Sequence, residues 1–233
     1  MDRTLAFFNA FFEGKYYLTI FEGIVNTLTL TAVATTIGLL IGLIVAIIQV
    51  IEKPKHNGIS LIIVNALKFI AKIYVDIIRG TPAVVQISFL WMVVLGPLQI
   101  PRVLVGGIAF GINSGAYMSE IIRGGILSID KGQMEAGRSL GLTYIQTMRE
   151  IILPQAARQT LPTLVNEFIV LIKETSIIGF IGGMDLMKAA NIMIGNTYNY
   201  EIPLLMVAFI YLFMTTIFTR FMRKIEKNIS KER

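Results

Sequence analysis

The chain has 233 residues, 55% of them hydrophobic and only 15% charged, with a net charge of +6 at neutral pH. Soluble domains carry about 25% charged residues, and the apolar residues here fall in long runs, which argues against a soluble globular protein. The absence of cysteine excludes disulfides, thiolate metal sites and cysteine nucleophiles.

In chain order, residues 1–22 read as an interfacial N-terminal segment. The run from Leu5 to Phe12 is too short to cross a bilayer, and its phenylalanines suit a helix lying in the membrane surface. It lacks a basic start, and Glu13 and Lys15 interrupt it, unlike a cleaved signal peptide. A bilayer core of about 30 Å takes about 20 apolar residues as helix. Apolar runs then place spans at 23–51, 80–101, 103–123, 161–184 and 202–222. They must be helices, because backbone polar groups in lipid have to bond internally. No period-two alternation suggests barrel strands. The expected fold is an all-α membrane protein, one domain over 1–233, with about five transmembrane helices.

Within the first span, Ala34, Gly38, Gly42 and Ala46 recur every four residues, a spacing that lets helices approach closely in lipid. Packing within the chain and contact with a second copy both fit. The only histidine, His56, lies among Lys53, Lys55 and Asn57 and reads as a solvated loop residue. Residues 59–78 are apolar, yet Lys68, Lys72 and Asp76 share one helix face. The reading adopted is an amphipathic helix leading into the second span, with a kink at Arg79-Gly80-Thr81-Pro82. A separate sixth span is the alternative.

Lysine and arginine set the orientation. Residues 52–80, 123–158 and 220–233 hold 16 of the 21 basic residues, and five spans put those three segments on one side. That side is cytoplasmic, with the N-terminus outside and the C-terminus inside a bacterial-type inner membrane. The same bias accounts for the positive net charge without a nucleic-acid partner.

Residues 124–160 form the longest polar segment. Asp130 can cap a short helix with Gln133 reaching back, and Gly141 stands where a helix C-terminus favours positive φ. Thr143 and Gln146 make a capping-box pattern, and Pro154 and Pro162 are expected to break the chain before the fourth span. The result is a cytoplasmic unit of two short helices joined at a glycine. Its apolar residues Met134, Leu140, Leu142 and Tyr144 need a cover, from the chain's own spans or from a partner.

The run Glu135-Ala136-Gly137, then Gly141, then Ile151-Ile152-Leu153-Pro154 resembles the EAA loop of ABC importer permeases of type I. Gly137 is the one departure, standing where the family has a second alanine. Three further motifs are similar to the polar amino-acid branch of that family. They are Arg79-Gly80-Thr81-Pro82 with Gln86, Ala116-Tyr117 with Glu120 and Arg123-Gly124-Gly125, and Asn166 with Lys173, Thr175 and Ser176. The resemblance covers roughly residues 20–225. It implies that Glu135, Ala136, Gly137, Arg138, Gly141 and Leu142 dock on an ABC ATPase subunit of a dimeric pair. It also implies a second permease chain, identical or a close paralogue, and an extracytoplasmic amino-acid-binding protein. The chain holds no Gly-x-x-x-x-Gly-Lys-Ser/Thr loop, so ATP and magnesium are expected on the partner, with no cofactor and no enzymatic activity here.

Intramembrane polar groups are costly and usually face a pathway. Asn113, Tyr117 and Glu120 follow i, i+4, i+7, with Ser114 beside them. Asn166 and Lys173 share a face of the fourth span, and Glu167 and Glu174 share the next. The candidate substrate site is therefore Asn113, Ser114, Tyr117, Glu120, Asn166, Glu167 and Lys173. Glutamate would meet an ammonium, and Lys173, Asn113 or a hydroxyl a carboxylate. The excess of glutamate mildly favours a basic amino acid. Simple pairing, of Glu120 with Arg123 and of Lys173 with an acidic neighbour, is the plainer reading of the same residues. A secondary transporter and a membrane-embedded enzyme are the competing functions. The first fits poorly with five spans and no internal repeat, and the second lacks any nucleophile–base or metal-ligand cluster.

Overall fold

A computed structural model describes residues 3–52, 54 and 58–230, and every regular element among them is helical. His56, with Lys53, Lys55 and Asn57, lies outside the described residues. Helix α1 (Arg3–Glu13) leads through a left-handed Lys15 (φ 50°) into α2 (Tyr16–Val50). Then come α3 (Ile59–Gly80), α4 (Ala83–Phe89), α5 (Arg102–Leu127), α6 (Lys131–Ser139) and α7 (Tyr144–Thr147). The chain ends with α8 (Leu153–Glu174), α9 (Leu186–Thr197) and α10 (Glu201–Ser230).

The centre of the molecule is a seam between α2 and α5. Ala34, Gly38, Gly42 and Ala46 are all buried on it, so the four-residue stripe serves packing within this chain. A methyl on Gly38 would lie 3.2 Å from Ser114, and one on Gly42 2.8 Å from Met118. The partner helix answers with its own glycines. Added carbons on Gly107, Gly111 and Gly115 would stand 2.7, 2.6 and 2.9 Å from Val33, Ile37 and Ile41. In lipid there is no hydrophobic drive between helices, and backbone proximity of this kind supplies the dispersion contact instead. The matched positions rise together along both helices, so α2 and α5 run parallel.

Two parallel helices need a returning segment between them, and α3 with α4 provides it. Ala71 and Val75 pack against Val45 and Ala116, while Ile87 packs among Leu30, Ala34 and Phe110. The segment thus travels antiparallel to α2, its C-terminal α3 half beside the C-terminal end of α2 and α4 beside the middle. The sequence placed a span at 80–101 preceded by an amphipathic helix. The kink expected between them at Arg79-Gly80-Thr81-Pro82 is present, inside the returning segment: α3 stops at Gly80, Thr81 is extended, and helix resumes at Ala83. After α4 the chain passes through a π turn (Leu90–Leu95) and a 3-10 turn (Gly96–Leu98). Only 16 residues follow the break as helix, too few to cross alone.

Helix α8 returns antiparallel to α5. Leu171 joins the cluster of Ala109 and Phe110, and Gly125 lies so close to Thr160 that a Cβ there would overlap it. Pro162 does not break this helix, which runs through it. The disruption sits upstream, where a π turn at Met148–Ile152 precedes Pro154 at the second position of α8. Helical backbone runs without a gap from Tyr144 to Glu174, and the π turn falls where Pro154 has no N–H to give. Helix α10 packs antiparallel on α8 through the Phe168–Phe218 pair, rings 5.3 Å apart and edge-on.

Helix α9 is absent from the sequence reading, which left 185–201 without structure. Asp185 caps it, accepting from Met187 N (3.0 Å) and Lys188 N (2.8 Å), and its buried carboxylate also receives the Tyr211 hydroxyl (3.3 Å). Leu186 N donates to Thr27 Oγ1, tying the cap to α2. Phe7 and Phe11 of α1 join Tyr16, Ile20 and this helix in one apolar cluster.

Candidate functional site

Two places carry the sequence-derived candidates: the loop at 128–152 and the polar side chains of α4, α5 and α8. In the loop, Asp130 accepts from Gly132 N at 2.6 Å. Gln133 does not reach back as expected; its oxygen faces Gln155 Nε2 at 3.4 Å. The end of α6 closes as the positive-φ glycine requires. Gly141 has φ +86°, its N–H donates to Arg138 O, and Leu142 N donates to Gly137 O. That pair of bonds is a Schellman motif. Arg138 Nη1 adds a bond to Leu142 O at 3.0 Å. Thr143 and Gln146 then form both bonds of a capping box.

The loop is therefore locked by its own hydrogen bonds while presenting large apolar side chains outward. Leu140 is 82% exposed and Ile145 74%. Glu135, Ala136 and Arg138 are exposed with them, Leu142 is half-buried, and Gly137 is buried. Thr147 explains the Gly137 departure: a carbon added there would sit 2.5 Å from Thr147 Cγ2. Tyr144 faces the end of α2. Burial pushes its phenol above the usual value, and the charge of Glu52 adds to the effect.

The intramembrane candidates divide into two groups. Asn113, Tyr117 and Glu120 share a face, and it looks onto α3 and α4. Asn113, almost wholly buried, donates to Gln86 Oε1 at 2.9 Å. Gln86 in turn donates to Ile78 O (2.8 Å), Thr81 O (3.0 Å) and Thr81 Oγ1 (2.7 Å), and Thr81 Oγ1 donates to Ile77 O (2.9 Å). The Arg79-Gly80-Thr81-Pro82 motif with Gln86 thus satisfies the carbonyls that the helix break frees, which water cannot do inside a bilayer. Arg79 lies over the Tyr117 ring at 5.5 Å and reaches Glu120 at 3.6 Å. Glu120 also holds Arg123 by two bonds of 2.9 and 2.8 Å. These three side chains are already engaged within the chain.

Ser114, Asn166, Glu167 and Lys173 form the second group. The Ser114 hydroxyl is fully buried beside the Glu167 carboxyl, outside hydrogen-bond geometry. Glu167 is half-buried, while Asn166 and Lys173 are exposed on α8, Lys173 two residues before the 3-10 segment Thr175–Ile181. Thr175 turns inward to bond Ile172 O. The structure thus brings Ser114 to Glu167 but leaves Asn166 and Lys173 on an outer face. The roles of Arg79 and of the Asp185–Tyr211–Thr27 network escaped the sequence reading. The cap of α9 did have a signal, an aspartate directly before an apolar run.

Residues 58–231 match the family described as binding-protein-dependent transport system inner membrane component. The putative glutamine transport system permease protein GlnP of Rickettsia bellii is 42% identical over 71% of this chain and 77% of its own. The arginine transport system permease protein ArtQ of Bacillus subtilis is 40% identical over 69% and 74%. Among solved structures, an amino acid ABC transporter crystallised with histidines superposes with a TM-score of 0.81 at 39% identity, covering 93% of this chain and 96% of that one. An inward-facing MetNI methionine ABC transporter superposes at 0.75, with 18% identity over 91% and 96%, and shows the shared fold.

Proposed function

The chain belongs to the binding-protein-dependent transport system inner membrane components, and from that premise we propose that it conducts a polar amino acid inward between two such chains. It is the membrane subunit of an ABC importer, distinct from the ATPase that powers it. Relatives named for glutamine and arginine transport support the substrate class.

The observation that carries this reading is the self-locked loop. A unit braced by a Schellman motif and a capping box still turns Leu140 and Ile145 to solvent. Exposed apolar residues on a rigid mount suit a groove on another subunit. Glu135, Ala136, Gly137, Arg138, Gly141 and Leu142 make up that docking unit. ATP and magnesium belong to the partner ATPase pair.

Five crossings with an outside N-terminus are supported by the alternating direction of α2, the broken α3–α4 segment, α5, α8 and α10, which lets the three Lys/Arg-rich sequence segments share one side. The substrate side is the second polar group, in which Glu167 receives the ammonium or a cationic side chain and Ser114, Asn166 and Lys173 line the approach. Glu120 is held by two arginines and does not contact substrate in this reading.

Substrate binding by the detergent-purified complex, without the external binding protein, tests the site. Glu167→Gln should weaken binding about ten- to a hundredfold, the equivalent of a charge-assisted bond of about 1.5–3 kcal/mol. A well-folded Glu167→Gln complex with unaltered affinity would show that the site lies elsewhere. ATP-driven uptake of labelled arginine, lysine, histidine and glutamine, in vesicles carrying the ATPase and binding protein, then identifies the cargo. No uptake of any amino acid would refute the substrate class.

A further inference from the structure

A cavity of about 340 Å³ opens between α3 and the inner ends of α2 and α5, at the low end of the size of small-molecule sites. Its charged lining is Lys68, Lys72, Asp76 and Arg79 from α3 with Glu120 and Arg123 from α5. Four cations thus face two carboxylates, and the carboxylate of Glu120 is already shared by Arg79 and Arg123. Neither Lys68 nor Lys72 has an ion pair within 4 Å among the described residues. The candidate substrate residues on α8 take no part in this lining.

The surface beside the lining defines the ligand further. Phe69, next to the charged face of α3, is 65% exposed, and Ile73 further round the helix is 40% exposed. The ligand that matches is an amphiphile with an anionic head group.

We propose that this cavity binds the head group of an anionic phospholipid, with Lys68 and Lys72 on the phosphate. Basic pockets between helices at the cytoplasmic surface favour such lipids, because each cation there contributes attraction to the anionic leaflet. The inference rests on the inner-side placement proposed above. Arg79 gives the site a consequence for transport. It lines the cavity and immediately precedes the helix break whose Gln86 holds Asn113. A bound lipid phosphate competes with Glu120 for Arg79, so lipid occupancy biases the break.

The test is lipid retention by the purified transporter complex, read by native mass spectrometry after mixing with phosphatidylglycerol or phosphatidylcholine in detergent. The native complex should retain phosphatidylglycerol in preference to phosphatidylcholine. Lys68→Gln with Lys72→Gln should lower that retention roughly 30-fold, about 1 kcal/mol for each lysine. Lys68→Arg with Lys72→Arg should restore it, and Arg220→Gln, an exposed cation outside the cavity, should leave it unchanged. Millimolar glycerol phosphate that fails to displace the lipid supports a lipid site; displacement with no preference between lipids would mean a free-anion site and overturn the proposal. Equal retention by the glutamine variant and the native complex would also overturn it, as would a change in the number of permease chains, which would make the cavity a subunit contact. Detergent mixing does not depend on orientation. Failure of the inner-side placement is read separately, by labelling of Lys131→Cys from outside intact cells.

Discussion

The α2–α5 seam and the loop at 128–152 are both built on glycine, for opposite reasons. In the seam, Gly38, Gly42, Gly107, Gly111 and Gly115 each have a neighbour within about 3.2 Å of where a methyl would stand. They are there for what they leave out. At Gly141 nothing lies within 4 Å, and the requirement is the backbone angle, φ +86°. The seam fixes distance between helices and the loop fixes a direction of the chain. Damage to the seam should therefore register as lost stability, and damage to the loop as lost coupling in a protein that still folds.

The largest effect is expected at Gly111→Val. Its added atoms enter the space of Ile37 on a helix held closely along its length, where overpacking costs about 1–3 kcal/mol and the seam can relieve little of it. The yield and thermal midpoint of the assembled complex should both fall; a wild-type midpoint would show that the seam can part. Gly141→Val comes next. A β-branched residue resists the left-handed region, at about 1–2 kcal/mol or more, so the loop should change its path. ATP hydrolysis should persist while uptake is lost, with the midpoint little changed. Normal uptake would separate the loop from coupling.

Gly137→Ala is intermediate, because Gly137 is a loop glycine with the crowding of the seam. A carbon there meets Thr147 Cγ2, and a loss of about 1 kcal/mol is expected. Thr147→Ser removes that methyl and keeps the hydroxyl bonded to Thr143 O, so the double variant should recover most of the loss, a coupling visible in a double-mutant cycle. Additive losses would mean the contact is not the reason for glycine. The smallest effect belongs to Gly124→Ala, a helical glycine with nothing nearby. It should raise stability by about 0.5–1 kcal/mol through helix propensity. A decrease would reveal an occupant of that surface in the assembled transporter.

The loop was legible because its chemistry is local. Gly141, Thr143 and Gln146 announce a cap within one stretch of six residues, and the bonds form as the pattern requires. The helical, membrane-type fold was legible for a similar reason, since charge-free length has few meanings. Pro162 misled because a helix already braced by neighbours can run through a proline, and the π turn at 148–152 sits ahead of Pro154 instead. The break at 79–82 was visible, but not that it falls within one returning segment, because apolar length does not report what lies beside it. For the same reason Asn113, Tyr117 and Glu120 looked like one open face. Periodicity gave the face, and only the fold shows Gln86 and Arg79 already there. Glu167 and Ser114 were each legible as candidates, though not that the fold sets them side by side.

The parallel seam carries a consequence for how the chain is made. Gly38 meets Ser114, and Gly42 meets Met118, so the two halves of the contact are synthesised far apart, with the whole returning segment between them. Helices enter a bilayer singly and associate afterwards. During synthesis α2 must wait in the membrane with its stripe of small residues uncovered until α5 is inserted, and a long loop has to close before any of that contact is gained. A nascent chain arrested before Arg102 exposes a surface shaped for close helix approach and has no mate for it. That interval is when a membrane chaperone, a second nascent copy or a quality-control protease meets this protein, and substitutions that slow insertion of 59–101 lengthen it without touching the finished seam.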